Sequence, residues 1–141
     1  MTVENLKKRL LSHDIRPSKP RVAILKYLIE HRTHPNVDSI YQALAPEISS
    51  LSKTTVYNTV DLFSERGVIQ RLTIDDKTTN YDADTSVHPH FLCQVCGAIY
   101  DMPEVTDLSA LPDAGPHELH DIQIYYRGIC AKCKDSKKAY S

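Results

Sequence analysis

Four cysteines stand as two pairs, Cys93-x-x-Cys96 and Cys130-x-x-Cys133, and the chain holds no others. A two-residue gap lets both sulfurs of a pair reach one ion at the roughly 2.3 Å of a tetrahedral zinc thiolate. Such a closed four-thiolate site is structural, and zinc, with its filled d shell, does not answer to redox by itself. Gly97, directly after the first pair, permits the backbone turn of a zinc knuckle, and Gly128, just before the second, suits a close backbone approach. A thiol switch in which the cysteines themselves oxidise uses the same residues and stays open at this point.

A second, harder set of donors lies nearby. His88 and His90 fall on a predicted strand, His88 to Leu92, where alternate residues face one side, so both imidazoles can converge on one ion. Pro89 between them faces away and points to an edge strand. Asp82 and Asp101 are close in sequence, and His34 precedes a predicted helix. Imidazoles and carboxylates together suit ferrous, manganous or zinc ions. Two histidines and a carboxylate also fit the facial triad of a mononuclear iron enzyme, and a zinc-ribbon interaction module with no regulated site is a further alternative. No substrate or cofactor motif accompanies the triad. His13, His31, His117 and His120 carry weaker signals.

These donors need elements to position them. Val3, Leu6, Leu10 and Leu11 make a helical stripe, and Ser18 followed by Pro20 opens a second helix carrying Val22, Ile24, Leu25 and Leu28. Asn36 caps a short third helix that must stop before Pro46, because the residue before proline disfavours the helical basin. Ser52 caps a fourth that runs to about Arg66, burying Val56, Val60 and Phe63, with Gly67 available for its left-handed C-terminal turn. Val68 to Ile74 and Thr78 to Asp82 then read as a hairpin about Asp75-Asp76-Lys77. Helix, turn, helix, hairpin is a winged-helix order. Beyond it, His88 to Leu92, Ala98 to Asp101 and Ile122 to Tyr126 read as short strands, Val105 to Leu111 as a short helix, and Lys134 to Ser141 as a loosely held polar tail. The expected class is α+β: a winged-helix DNA-binding domain over 1–82, a hinge over 83–87, and a small α/β zinc-stapled dimerisation and metal-binding domain over 88–141. About fifty residues after the hinge bury too little apolar area to fold alone, so a metal, a partner subunit or both are needed.

Composition is that of an ordinary globular protein: 141 residues, 41% hydrophobic and 25% charged. Net charge of -1 conceals an asymmetry, with 11 Lys and Arg against 7 Asp and Glu in residues 1–74, and 6 against 11 in residues 75–141. A basic half can approach phosphates, while an acidic, histidine-bearing half suits cations. Lys53, Thr54, Tyr57, Asn58 and Asp61 share the polar face of the fourth helix. There Asn58 can bond adenine bidentately, Tyr57 can pack on a thymine methyl, and Lys53 can meet phosphate. Arg16, Lys19 and Arg21, between the first two helices, are placed for salt-sensitive backbone contacts. No apolar run approaches the roughly 20 residues of a membrane span, and residues 1–11 lack a secretory pattern. The expected location is the cytoplasm, where thiols stay reduced.

Several motifs agree in order and spacing with one family: Arg16-Pro-Ser-Lys-Pro-Arg21, His34-Pro35, Thr55-Val-Tyr-Asn58, His88-Pro-His90-Phe-Leu-Cys93-Gln-Val-Cys96-Gly97, and Gly128-Ile-Cys130-Ala-Lys-Cys133. With these the chain resembles the ferric uptake regulators over nearly its whole length. The resemblance implies a homodimeric repressor of operator DNA that is not an enzyme. Structural Zn(II) would sit in Cys93, Cys96, Cys130 and Cys133, and a regulatory Fe(II) or Mn(II) at His34, Asp82, His88, His90 and Asp101. Aspartate at position 82 and asparagine at position 58 are similar to the family's peroxide-responsive branch, whose bound ferrous ion lets peroxide oxidise ligating histidines; iron- or zinc-responsive repressors are the alternatives. Pro89 stands where many members carry an acidic residue, and His120 lies farther from Cys130 than usual, which argues against a third metal site.

Overall fold

The computed structural model describes residues 2–139. The chain divides into two compact units, Met1–Thr85 and Ser86–Ser141.

Each helix of the first unit begins at a side chain that takes up an otherwise orphaned first-turn N–H. Thr2 does so for α1 (Val3–Ser12), Ser18 for α2 (Lys19–Glu30), Asn36 for α3 (Val37–Leu44) and Ser52 for α4 (Lys53–Glu65). The Asn36 and Ser52 caps are the tightest, accepting from Ser39 N at 2.9 Å and Thr55 N at 3.0 Å. Gly67 ends α4 at a φ of 76°, a conformation that favours glycine. Leu6, Leu10, Ile24, Leu25, Leu28 and Ile40 meet Val56, Val60 and Phe63 in one buried cluster. The fourth helix is therefore fixed by its apolar face, and its polar face is left outward.

The wing is shorter than the sequence pattern. β1 (Gln70–Leu72) and β2 (Asn80–Asp82) pair antiparallel with Gln70 opposite Asp82 and Leu72 opposite Asn80. Lys77 N donates to Asp75 Oδ1 at 2.9 Å in the connecting turn. β2 is also tied to the loop before α3: Tyr81 N donates to Pro35 O at 3.0 Å, and Asn80 Nδ2 donates to His34 O at 2.7 Å.

In the second unit, β3 (His90–Cys93) is the middle strand of three, flanked by β4 (Ile99–Asp101) antiparallel and β5 (Tyr125–Gly128) parallel. Four expectations are corrected here. Pro89 is not on an edge strand; it precedes the central strand, where its missing N–H costs no ladder bond and its carbonyl accepts from Met102 N at 2.8 Å. The third strand begins three residues later than the Ile122–Ile124–Tyr126 alternation indicates, because its register is set across β3, with His90 opposite Tyr125 and Cys93 opposite Gly128. Within the Val105–Leu111 stretch only a 3-10 turn forms, Leu108–Ala110, with Leu108 half exposed. The polar tail is instead α5 (Ala131–Ala139), whose first turn closes from Lys134 N to Cys130 O at 2.9 Å; Tyr140 and Ser141 lie outside the described residues.

Among the described residues, the buried hydrophobic side chains of this unit are Leu92, Cys93 and Cys130. Two of those three are sulfur donors, so the unit has almost no hydrocarbon core of its own. No helix among the described residues is long and apolar enough to cross a membrane.

Candidate metal centres and the reader helix

Cys93 closes β3, Gly97 turns the chain at a φ of 77°, and the turn is locked by Gly97 N donating to Cys93 O and Cys93 N to Ala98 O, each at 2.9 Å. Cys130 follows β5, and Cys133 lies one turn into α5. The parallel pairing of β3 with β5 brings the two C-x-x-C pairs together, and all four sulfurs lie within 4.8 Å of one another. Cys96 Sγ and Cys130 Sγ are 3.8 Å apart. A tetrahedron with metal–sulfur bonds of about 2.3 Å has edges of about 3.8 Å, whereas a disulfide needs about 2.05 Å. Gly128 sits close beneath the Phe91 ring, where a Cβ would come within 3.3 Å and the ring would have to give.

The backbone already treats one sulfur as an anion. Cys130 N and Cys96 N donate to Cys93 Sγ at 3.3 and 3.5 Å, and these amides, Cys130 first, draw its thiol down to about 6. The Cys133 amide, and then the Tyr100 hydroxyl, lower Cys130. Cys133 donates its proton to Cys130 and is held up at about 12, as is Tyr100 by the same acceptor. Clustered sulfurs cannot all ionise without a cation, and a divalent ion would remove that conflict. The quartet therefore fits a thiolate-bound metal.

The harder donors form a pair in the first unit and a trio in the second. His34 Nε2 lies 3.4 Å from Asp82 Oδ2, with both side chains buried. His34 has a φ of 56°, a left-handed backbone that costs a non-glycine residue about 1–3 kcal/mol. The bonds from Asn80 and Tyr81 to the His34–Pro35 carbonyls hold it there.

In the trio, His90 is the cross-strand partner of Asp101 and His88 precedes the strand. Both Nε2 atoms reach Asp101 Oδ1, His88 at 3.1 Å and His90 at 3.3 Å, and the rings lie 4.4 Å apart. His88 Nδ1 is 3.0 Å from Ser86 O. A carbonyl only accepts, so a bond there takes its proton from Nδ1, and in that tautomer the Nε2 lone pair faces the carboxylate. Two lone pairs at that distance need a proton or a cation between them. The donor set, nitrogen and carboxylate oxygen, fits a borderline divalent ion.

On α4, Lys53, Thr54, Tyr57 and Asn58 are exposed, and so are Arg16 and Lys19 ahead of and at the start of α2. Arg21 is half-buried and donates to Arg16 O at 2.8 Å, which stiffens that approach. Lys53 Nζ is 3.1 Å from Asp38 Oδ1, a weak exposed pair that phosphate can displace. Asp61 is bound by Arg71 of the wing, so it braces the helix instead of joining the reading face. Sequence reasoning passed over Arg71, Arg32 and Ser86. Only Arg32, two residues before His34, carried a local signal.

A capped four-helix unit closed by a wing, followed by a small unit built around clustered metal donors, defines a metal-responsive DNA-binding regulator. The chain belongs to the ferric uptake regulator family, whose model matches residues 12–112. It is 36% identical over 126 residues to the peroxide-responsive repressor PerR of Staphylococcus aureus, covering 86% of this chain and 84% of that protein. Among solved structures it is similar to PerR from Streptococcus pyogenes, at 32% identity and a TM-score of 0.53 over 93% of this chain and 92% of that one. It is also similar to the ferric uptake regulator of Francisella tularensis with iron, at 25% identity and a TM-score of 0.69 over 85% and 95%.

Proposed function

We propose that this protein is a cytoplasmic, homodimeric repressor that binds double-stranded operator DNA and releases it in response to peroxide. Structural zinc is held by Cys93, Cys96, Cys130 and Cys133. His34, Asp82, His88, His90 and Asp101 serve one regulatory Fe(II) or Mn(II), with the linker over 83–87 as the hinge that it biases. The donor chemistry within each unit and the likeness to PerR support this assignment. Exposed Val95, Leu119, Tyr126 and Ile129 in a unit with almost no core support dimerisation. Arg16, Lys19, Arg21, Lys53, Thr54, Tyr57 and Asn58 make the DNA contacts.

The observation that carries the peroxide reading is the buried Asp82–His34 pair, an aspartate beside an imidazole, in a chain 36% identical to a peroxide-responsive repressor. Ferrous ion, when bound, supplies the reduction of peroxide beside these rings. The chain's own residues orient the imidazoles: Ser86 holds His88 through Nδ1, Asp101 holds His88 and His90 together, and the Asn80 and Tyr81 bonds fix the loop bearing His34.

Anaerobic protein loaded with Fe(II) or Mn(II), treated with one equivalent of peroxide and digested, tests the reading. Peptides holding His34 or His88/His90 are expected to gain one oxygen in the iron form only, with loss of affinity for a duplex selected from a random pool. Unmodified histidines in the iron form would leave an iron- or zinc-responsive repressor instead.

A further inference from the structure

The two oxygens of Asp82 have different surroundings in the first unit. Oδ2 faces His34 Nε2 at 3.4 Å. Oδ1 accepts from Asp84 N at 2.9 Å and lies 3.6 Å from Arg32 Nη2. That same Arg32 nitrogen is 3.3 Å from Asp84 Oδ2, so one guanidinium spans two carboxylates. Arg32 is about half exposed, whereas the Asp82 side chain is buried. The guanidinium thus reaches inward from solvent to a carboxylate that would be costly to bury alone.

We propose that Arg32 is a specificity-determining positioning residue: with the Asp84 amide it holds Oδ1 of Asp82, so that the carboxylate meets a divalent ion through Oδ2 alone. This rests on the assignment of His34 and Asp82 to a regulatory cation. A carboxylate restricted to one oxygen contributes one donor and keeps the coordination number low. Released, it can chelate through both oxygens, which suits Mn(II), an ion at home in octahedral oxygen-rich sites. Removing a positive charge nearby favours any divalent cation alike, so the charge effect cancels in a ratio of two metals. The geometric effect does not cancel.

Full-length protein with zinc in the thiolate site is titrated with Mn(II), followed by the electron paramagnetic resonance of the free ion, and with Co(II), followed by its d–d absorption. Arg32→Met keeps the stem without the cation. The expected result is an Mn(II)-to-Co(II) affinity ratio raised by about tenfold, the scale on which outer partners of a metal ligand act, with weaker Co(II) d–d bands as its coordination number rises. Arg32→Lys, which keeps a cation on a flexible stem, should move the ratio and spectrum back towards wild type. Equal shifts of both metals in Arg32→Met with an unaltered Co(II) spectrum would reduce Arg32 to a charge and overturn the proposal. Wild-type protein that takes up no second ion beyond the thiolate zinc would overturn the functional reading itself, and this inference with it.

Discussion

Single residues show how differently the two donor sets are prepared for a cation. At the sulfur set, amides of Cys130 and Cys96 point at Cys93 Sγ, while Cys133 keeps its proton, which it donates to Cys130. Removing one sulfur therefore removes the cation and most of the interior this unit has. Cys93→Ser is expected to lose zinc and to melt the second unit while α1–α4 keep their helical signal; metal analysis with far-ultraviolet circular dichroism and hydrogen exchange over residues 86–136 checks it. Protection equal to wild type there would mean the staple is dispensable. Because ligands must shed protons, zinc retention should also fall on acidification and recover on return to neutral pH, read by chelator competition across pH. At the nitrogen and oxygen set, His88 Nδ1 rests against Ser86 and its Nε2 is turned to Asp101. His34 accepts backbone strain to hold its ring beside Asp82.

Elements decide which of these residues meet, and they are unevenly legible in the sequence. The caps at Ser18, Asn36 and Ser52 and the Val56–Val60–Phe63 stripe are readable because they are local, set by chemistry within one or two turns. The cysteine quartet is readable because two C-x-x-C pairs in one short segment seldom arise except as ligands of a single ion. Strand alternation brings His88 and His90 to one side for the wrong reason. His88 is not on the strand, and its meeting with His90 at Asp101 depends on a β3–β4 register that no local pattern specifies. The β5 register and α5 escape the sequence pattern for the same cause: a parallel pairing more than thirty residues distant fixes the one, and the second cysteine pair starts the other. The exposed face of α4 yields a sharper test. Asn58→Ala should cost about 1–3 kcal/mol of DNA affinity and relax discrimination at one base position, whereas Lys19→Ala should weaken all duplexes alike and reduce the salt slope by about one. Selection from a random pool and a salt titration separate the two, and an Asn58→Ala protein with unchanged sequence preference would remove that residue from the reading face. Ser52→Ala should cost about 1 kcal/mol of first-unit stability by chemical denaturation, since it leaves a first-turn N–H unsatisfied.

At the scale of the whole molecule, the family membership implies a switch, and a switch is a statement about differential affinity. A metal that binds the DNA-ready and the idle forms equally shifts nothing, however tightly it binds. By linkage, whatever factor the ion adds to DNA affinity, DNA must add to the ion's affinity. The four thiolate donors all lie in the second unit, whereas the regulatory site proposed above takes donors from both units, which is what gives it such leverage in that proposal. The most direct measurement is fluorescence anisotropy of zinc-loaded protein on its selected duplex, with Mn(II) present and after selective chelation, for wild type and His34→Ala. Mn(II) is expected to tighten wild-type binding by on the order of a hundredfold, and His34→Ala, with its zinc content unchanged, to lose that gain. Equal wild-type affinity with and without the ion would contradict this expectation.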